Sequence, residues 1–433
     1  MSDKPPQKAP PPKRKPPLEF PKDAWKSRLL LNDRKIPKPL LANAYTALTE
    51  APEFRDVLRF NEFAQSIEMK NPPPWEVALG APWDDLQDVH ACRWLQENDI
   101  AVSQQVAATC IDAAARAHPY HPIRDYLQSL KWDGIPRLIN AAREYFNAMS
   151  QPNAYLEAVV PRFLISAVAR IFQPGCQVDH MLVLESDDQG QGKSTSLRTL
   201  VPNRSWFSDD MADLDSKDSK LQLAGLWIIE VSELAAISKG EFPKHKSFIS
   251  RRVDRFRAPY ERRPREHPRQ CVFAGSTNDR EYLKDPTGAR RFWPVVVSRP
   301  ISIEKLESIR DQLWAEVFVH YKRSHPWWIL AEERELKILV LDEQRQRMDR
   351  DPWHGLVADW IDGKDEVSVE QILKDLILKQ EKDWTPLDKR RVTQILVQQK
   401  WKKFRKRESG DRPYKYRPLG ELEGSEGEEK VPF

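Results

Sequence analysis

Four short apolar runs punctuate the middle of this 433-residue chain: Met181–Leu184, Leu226–Ile229, Cys271–Gly275 and Val295–Val297. Short continuous runs bounded by small and charged residues read as strands buried on both faces. Before them, Pro122 to Phe172 reads helical. Ala158, Val159 and Val160, then Phe163, Leu164, Ile165, Ala167 and Val168, fall at core-helix spacing. Further upstream, Val57–Phe63 and Ala64–Met69 pattern as a hairpin, and Asp84–Glu97 and Ser103–Ala117 as helices. Strands joined by long connections predict an α/β core with a small α+β unit ahead of it.

The first strand runs into Gly190-Gln191-Gly192-Lys193-Ser194-Thr195, with a helix-compatible stretch behind. A nucleoside-triphosphate phosphate loop requires that strand–loop–helix context. Gly190 and Gly192 let backbone N–H groups turn toward phosphate oxygens. Lys193 supplies charge for the β- and γ-phosphates, and Ser194 a hydroxyl for Mg²⁺. ATP hydrolysis is the expected chemistry, with ATP and Mg²⁺ as ligands. The pattern's first glycine would stand at position 187, where this chain has Asp187, a residue that tolerates a left-handed backbone.

The later runs add candidates in order. Glu230 is expected at the carboxyl end of the second strand, with Glu233 three residues on, to hold the Mg²⁺ shell and polarise water. Asn278 follows the third strand as a γ-phosphate sensor. Arg290 and Arg291 precede the fourth strand and suit charge developing on a transferred phosphoryl group, often across a subunit boundary.

The segment from about His121 to Ser298 resembles the virulence-associated protein E family of phages and mobile elements, related to superfamily 3 helicases. The resemblance rests on the stretches 121–134, 179–195, 227–234, 253–260, 268–278 and 285–294, an ordered agreement over about 180 residues. It implies an AAA+-like P-loop NTPase core in which Lys193, Ser194, Glu230, Asn278 and Arg290 or Arg291 take phosphate, metal, sensor and arginine-finger roles. It further implies a homo-oligomeric ring, commonly a hexamer, and a helicase without an evident primase module, so that any primase would be a separate partner.

Basic residues cluster at two places. Arg251, Arg252, Arg255, Arg257, Arg262, Arg263 and Arg265 surround Phe256 and Tyr260, and Tyr260–Pro264 reads as a hairpin tip. Arginine beside aromatic rings suits single-stranded or forked DNA, and superfamily 3 helicases place a β-hairpin here. In the C-terminal third, a helix from Val369, an N-cap with proline at Thr385-Pro386, and a helix through Val392, Ile395 and Leu396 are followed by Lys400–Arg407 and Tyr414–Arg417. These are the parts of a winged helix, with Lys389, Arg390, Lys402, Lys403 and Arg405 as candidate DNA contacts.

Composition sets the frame. Net charge is +4, charged residues make up 31% and mean hydropathy is −0.67. No apolar run is long enough to span a membrane. Four scattered cysteines fit a reducing cytoplasm, here that of a bacterial host, rather than a disulfide scaffold or zinc site. His118 and His121 are spaced like ligands, but no motif completes a site. Residues 1–22, with eight prolines and six Lys/Arg, cannot build a core. The expected organisation is a disordered arm (1–22), a small α+β domain (23–120), a helical region with the ATPase core (121–330), a helical and winged-helix-like C-terminal domain (331–418) and an acidic tail (419–433). A nucleotide-switched DNA-binding initiator without motor activity is the alternative reading.

Overall fold

The computed structural model describes residues 24–78, 82–210, 221–232, 234, 242–256, 264–284, 289–348, 351–405 and 414–419. Near the start, α1 (Leu41–Glu50) precedes β1 (Leu58–Asn61) and β2 (Ser66–Met69), which form an antiparallel hairpin. Next come α2 (Asp85–Glu97) and α3 (Gln104–Arg116). Asp84 and Ser103 cap them by accepting the Leu86, Gln87 and Val106 amides. β3 (Pro119–Tyr120) returns to pair parallel with β1. A separate apolar core, including Ala44, Leu48, Phe54, Leu95 and Ile111, holds this unit together.

Three helices follow rather than one continuous run: α4 (Pro122–Ser129), α5 (Ala141–Tyr145) and α6 (Asn153–Phe172). The helical reading of 122–172 is corrected accordingly. Between α4 and α5 the chain holds itself open with local polar bonds, Asp133 gripping Arg137 and the Ile135 amide. His121, offered by spacing as a ligand, instead caps α4 and meets Gln270 at 2.6 Å.

The central sheet is parallel, in the order β10-β4-β9-β6-β5. Its strands are β4 (Met181–Glu185), β5 (Phe207–Ser208), β6 (Ile228–Val231), β9 (Val272–Thr277) and β10 (Phe292–Val296). α7 (Lys193–Thr199) follows β4. α8 (Phe242–Ser250), β7 (Val253–Phe256) and β8 (Arg265–Pro268) come between β6 and β9. Side chains alternate between two cores. Leu182, Leu184, Ile228, Val272, Ala274 and Val295 pack with α6 and with α9 (Ile303–Lys322). Met181, Val183, Ile229, Phe273 and Phe292 pack with Phe248, Ile249 and Tyr282. Burial on both faces explains why these strands are continuous apolar runs. Trp227 and Trp314 stack at 4.4 Å in the first core. Their indole N–H groups donate to the carbonyls of Ala167 and Leu200, so neither polar tip is stranded.

After α10 (Arg334–Gln346) the chain forms a C-terminal unit with its own core: α11 (Trp353–Ile361), α12 (Val369–Gln371), α13 (Pro386–Gln398), β11 (Trp401–Arg405) and β12 (Tyr414–Pro418). α12 runs on through a π-helical turn, Ile372–Leu376, instead of continuing as a regular helix. α13 starts on a capping box between Thr385 and Asp388 with Pro386 in its first turn. β11 and β12 are antiparallel, and Val367 bridges to Tyr416.

Candidate nucleotide site and nucleic-acid surfaces

Every strand of the central sheet points its carboxyl end the same way, and in such sheets ligands bind beyond those ends. The β4–α7 loop lies there, opening into a cleft of about 770 Å³ lined by Gln189 to Thr195, Ser232 and Ser276 to Asp279. Gly190 and Gly192 adopt φ of +76° and +81°. A Cβ at Gly190 would meet nothing within 4 Å, so backbone conformation rather than crowding requires glycine there. The Ile301 amide donates to Gln191 O at 3.0 Å and fixes the loop to the end of the β10–α9 connection.

Lys193 opens α7 and is only 8% exposed. Its ammonium donates to Ser186 Oγ at 2.5 Å, Asn278 Oδ1 at 2.6 Å and Asp188 O at 3.5 Å. All three acceptors are neutral, so no ion pair cancels its charge. Burial pulls its pKa below the ordinary lysine value, opposed by the through-space fields of Glu230 and Asp188. Next to it, Ser194 Oγ donates to Glu230 Oε1 at 2.6 Å, as does Ser276 Oγ at 2.5 Å.

Glu230 is placed one residue short of the strand end: β6 is Ile228–Val231, not Leu226–Ile229 with the acid beyond it. Buried at 1% exposure, it leaves Oε2 without a hydrogen-bond partner. A buried unpaired carboxylate oxygen is costly unless a cation or donor completes it. Thr195 lines the cleft. Glu233 lies outside the described residues.

Two features had no local signal in the sequence. In a neighbouring pocket that shares Asp279 with the cleft, Arg280 makes a two-pronged ion pair with Asp187, whose carboxyl it holds below the usual range. Behind the loop, Glu185 at the end of β4 is bonded by Arg347, which also takes Glu343 Oε2 at 2.6 Å. Burial pushes the Glu185 carboxyl up against the pull of Arg347. Only the approach of distant segments creates either pairing.

Arg290 and Arg291 sit in a short 3₁₀ turn, Ala289–Arg291, just before β10. The structure separates them. Arg291 Nε donates to Ser250 Oγ at 2.6 Å within the same chain, whereas Arg290 is exposed.

The basic segment before β9 does form an antiparallel hairpin, β7 with β8. Its base is anchored by Asp254 and Arg269, both buried and joined at 2.5 Å. Arg251 turns to Asp254 at 3.3 Å, and Arg252 donates to Gly175 O at 2.8 Å, so both serve the base. Arg255 is exposed on β7. Arg257, Tyr260, Arg262 and Arg263 lie outside the described residues. In the C-terminal unit, Lys389, Arg390, Lys402, Lys403 and Arg405 are all exposed. Lys403 and Arg405 lie over the Tyr414 ring, at 3.8 and 4.7 Å. Among the described residues no group of His, Cys, Asp and Glu is arranged to hold a metal by itself. No described helix is long and apolar enough to cross a membrane.

Comparison with known proteins bears on the central part of the chain first. The family model for the virulence-associated protein E-like domain matches residues 127–349. No curated protein matches the chain. Among solved structures, the apo structure of the NrS-1 C-terminal region (305–718) aligns at a TM-score of 0.43 and 12% identity. It covers 84% of this chain and 96% of that one. The A form of the same region aligns at 0.43 and 13%, with the same coverage.

Proposed function

The chain belongs to the virulence-associated protein E-like family, and from that membership and the cleft geometry we propose an ATP-hydrolysing DNA motor of phage or mobile-element replication. The observation that carries the reading is the meeting of Lys193 and Ser194 at the start of α7, Glu230 near the end of β6 and Asn278 just after β9. Residues from three separate segments converge beside one loop with left-handed glycines, which favours a P-loop nucleotide site over an incidental glycine-rich turn.

The residues fit ATP with Mg²⁺. Ser194 and Glu230 would hold the cation, and the unpartnered Glu230 Oε2 is the oxygen that such a charge would complete. Bound there, Mg²⁺ supplies Lewis-acid charge against the phosphate oxygens. Lys193 offers an ammonium whose present acceptors are neutral and readily exchanged for phosphate oxygens. Asn278, bonded to Lys193, is positioned to register that exchange. Glu230 orients water through its carboxylate, and Arg290 of a neighbouring copy would reach the phosphoryl group from outside. The β7–β8 hairpin is read as the single-strand contact, and the C-terminal unit as a winged-helix-like DNA contact.

The test is ATP turnover with and without single-stranded DNA. Lys193→Ala should lower turnover by about 10²–10³-fold, since phosphoryl transfer depends on such electrostatic stabilisation. Glu230→Gln should retain nucleotide binding and lose hydrolysis. Wild-type turnover in Lys193→Ala would refute the site. A strand-separation assay then distinguishes a motor from a nucleotide-switched initiator.

A further inference from the structure

We infer that the outward stripe of α13 reads the base sequence of duplex DNA. The inference rests on the reading of the C-terminal unit as a DNA contact, and it adds which residues read and what they read.

α13 buries Val392, Ile395 and Leu396 in the C-terminal core. On the opposite side, Leu387, Arg390, Gln394 and Val397 recur at spacings that place them in one line along the helix. All four are exposed, Leu387 by 77% and Val397 by 61%. The two apolar members flank the two polar ones, so the stripe offers both kinds of contact along one line.

The basic residues at the start of α13 are not equivalent. Lys389 reaches Glu370 at 3.4 Å, and Arg391 pairs with Asp351 and lies over the Trp353 ring at 3.8 Å. Arg390 and Gln394, the two polar members of the stripe, have no side-chain hydrogen-bond or ion-pair partner among the described residues. Their side chains are free to make bidentate contacts, and these residue types match base edges. An arginine fork fits guanine O6 and N7, a glutamine amide fits adenine N6 and N7, and apolar side chains meet the thymine methyl.

The surroundings favour a duplex. β11 adds Lys403 and Arg405, exposed cations lying over the Tyr414 ring, whose charges suit the phosphates of a duplex. A single strand would call for open stacking platforms along the stripe. The rings at this helix's start are already occupied, Trp353 by Arg391 and Trp384 by Lys389. A protein partner would prefer an unbroken apolar strip, whereas Arg390 and Gln394 interrupt this one.

The experiment selects from a pool of random duplexes with the full chain, sequences the bound fraction, and competes the enriched duplex against a scrambled one and against its separate strands. A discrete enriched motif is expected. Gln394→Ala should lower the preference for enriched over scrambled duplex by about tenfold. It should leave the salt-sensitive binding to scrambled duplex largely in place. Thermal melting checks that the variant is folded, and Gln394→Glu provides a second, polar variant. Duplex binding without any enriched motif would overturn the inference alone, as would unchanged discrimination in both folded variants. So would self-association abolished by Val397→Glu with no duplex preference, which would give the face to a second copy. If the chain bound no nucleic acid even at low salt, the underlying DNA-contact reading would fall with it.

Discussion

Asp187 puts a carboxylate into the loop beside the cleft at the position where a glycine would be neutral, and such a charge would repel a phosphate bound next to it. Arg280 offsets it. The fork spans two segments that Lys193 and Asn278 also join, so both ties bridge the β4 and β9 exits. With both partners well exposed, the pair contributes little to folding. If the cleft takes a nucleotide as proposed, the pair's effect falls on its affinity. Arg280→Ala should then weaken ATP binding by about two- to fivefold at low salt, because the Asp187 charge beside the cleft is no longer matched. Asp187→Gly combined with Arg280→Ala should recover most of that affinity. Titrating a fluorescent ATP analogue into the wild type, both single variants and the double variant reads this directly. Equal affinity in Arg280→Ala and wild type would reduce the pair to a surface ion pair without a role in binding.

At the scale of elements, legibility followed burial. β4, β6, β9 and β10 were readable because strands covered on both faces are continuous apolar runs. β5 was not, since two residues at a sheet edge leave no periodicity. The extent of β6 was misjudged because Glu230 is polar yet buried, and a polar residue reads as a strand end. The β7–β8 hairpin was signalled by its charge, but its base was not: the Asp254–Arg269 bond joins residues whose significance appears only when the strands pair. That buried bond anchors the hairpin's base, and the proposed single-strand contact would rest on its basic residues. Replacing Arg262 and Arg263 with alanine should weaken single-strand binding. It should also flatten the plot of log affinity against log salt by about 0.7 for each phosphate no longer neutralised. Filter binding across a salt series measures it, and an unchanged slope would return the hairpin to mere surface.

For the whole molecule, the structure separates an exposed Arg290 from an Arg291 tethered within its own chain, and only the first is open to a neighbouring copy in the proposed ring. If Arg290 serves a neighbour's site, Arg290→Ala and Lys193→Ala should each be inactive alone, yet a mixture should regain roughly a quarter of wild-type turnover at equal ratio by random pairing. ATPase rate against mixing ratio decides it. A flat line at zero from folded, subunit-exchanging proteins would exclude a shared site. The sheet order has a consequence for how the chain is made. β10 pairs with β4 although roughly 110 residues separate them, so the ribosome works for on the order of ten seconds before that edge is covered. During this interval a strand with every residue destined for burial has an open flank, the template on which unfinished chains stick to one another. The N-terminal helices and hairpin, closed by neighbours in sequence, are complete long before. Birth is the most hazardous moment for the sheet that carries the candidate site, and a slow or crowded synthesis would lose that sheet before it lost the N-terminal unit.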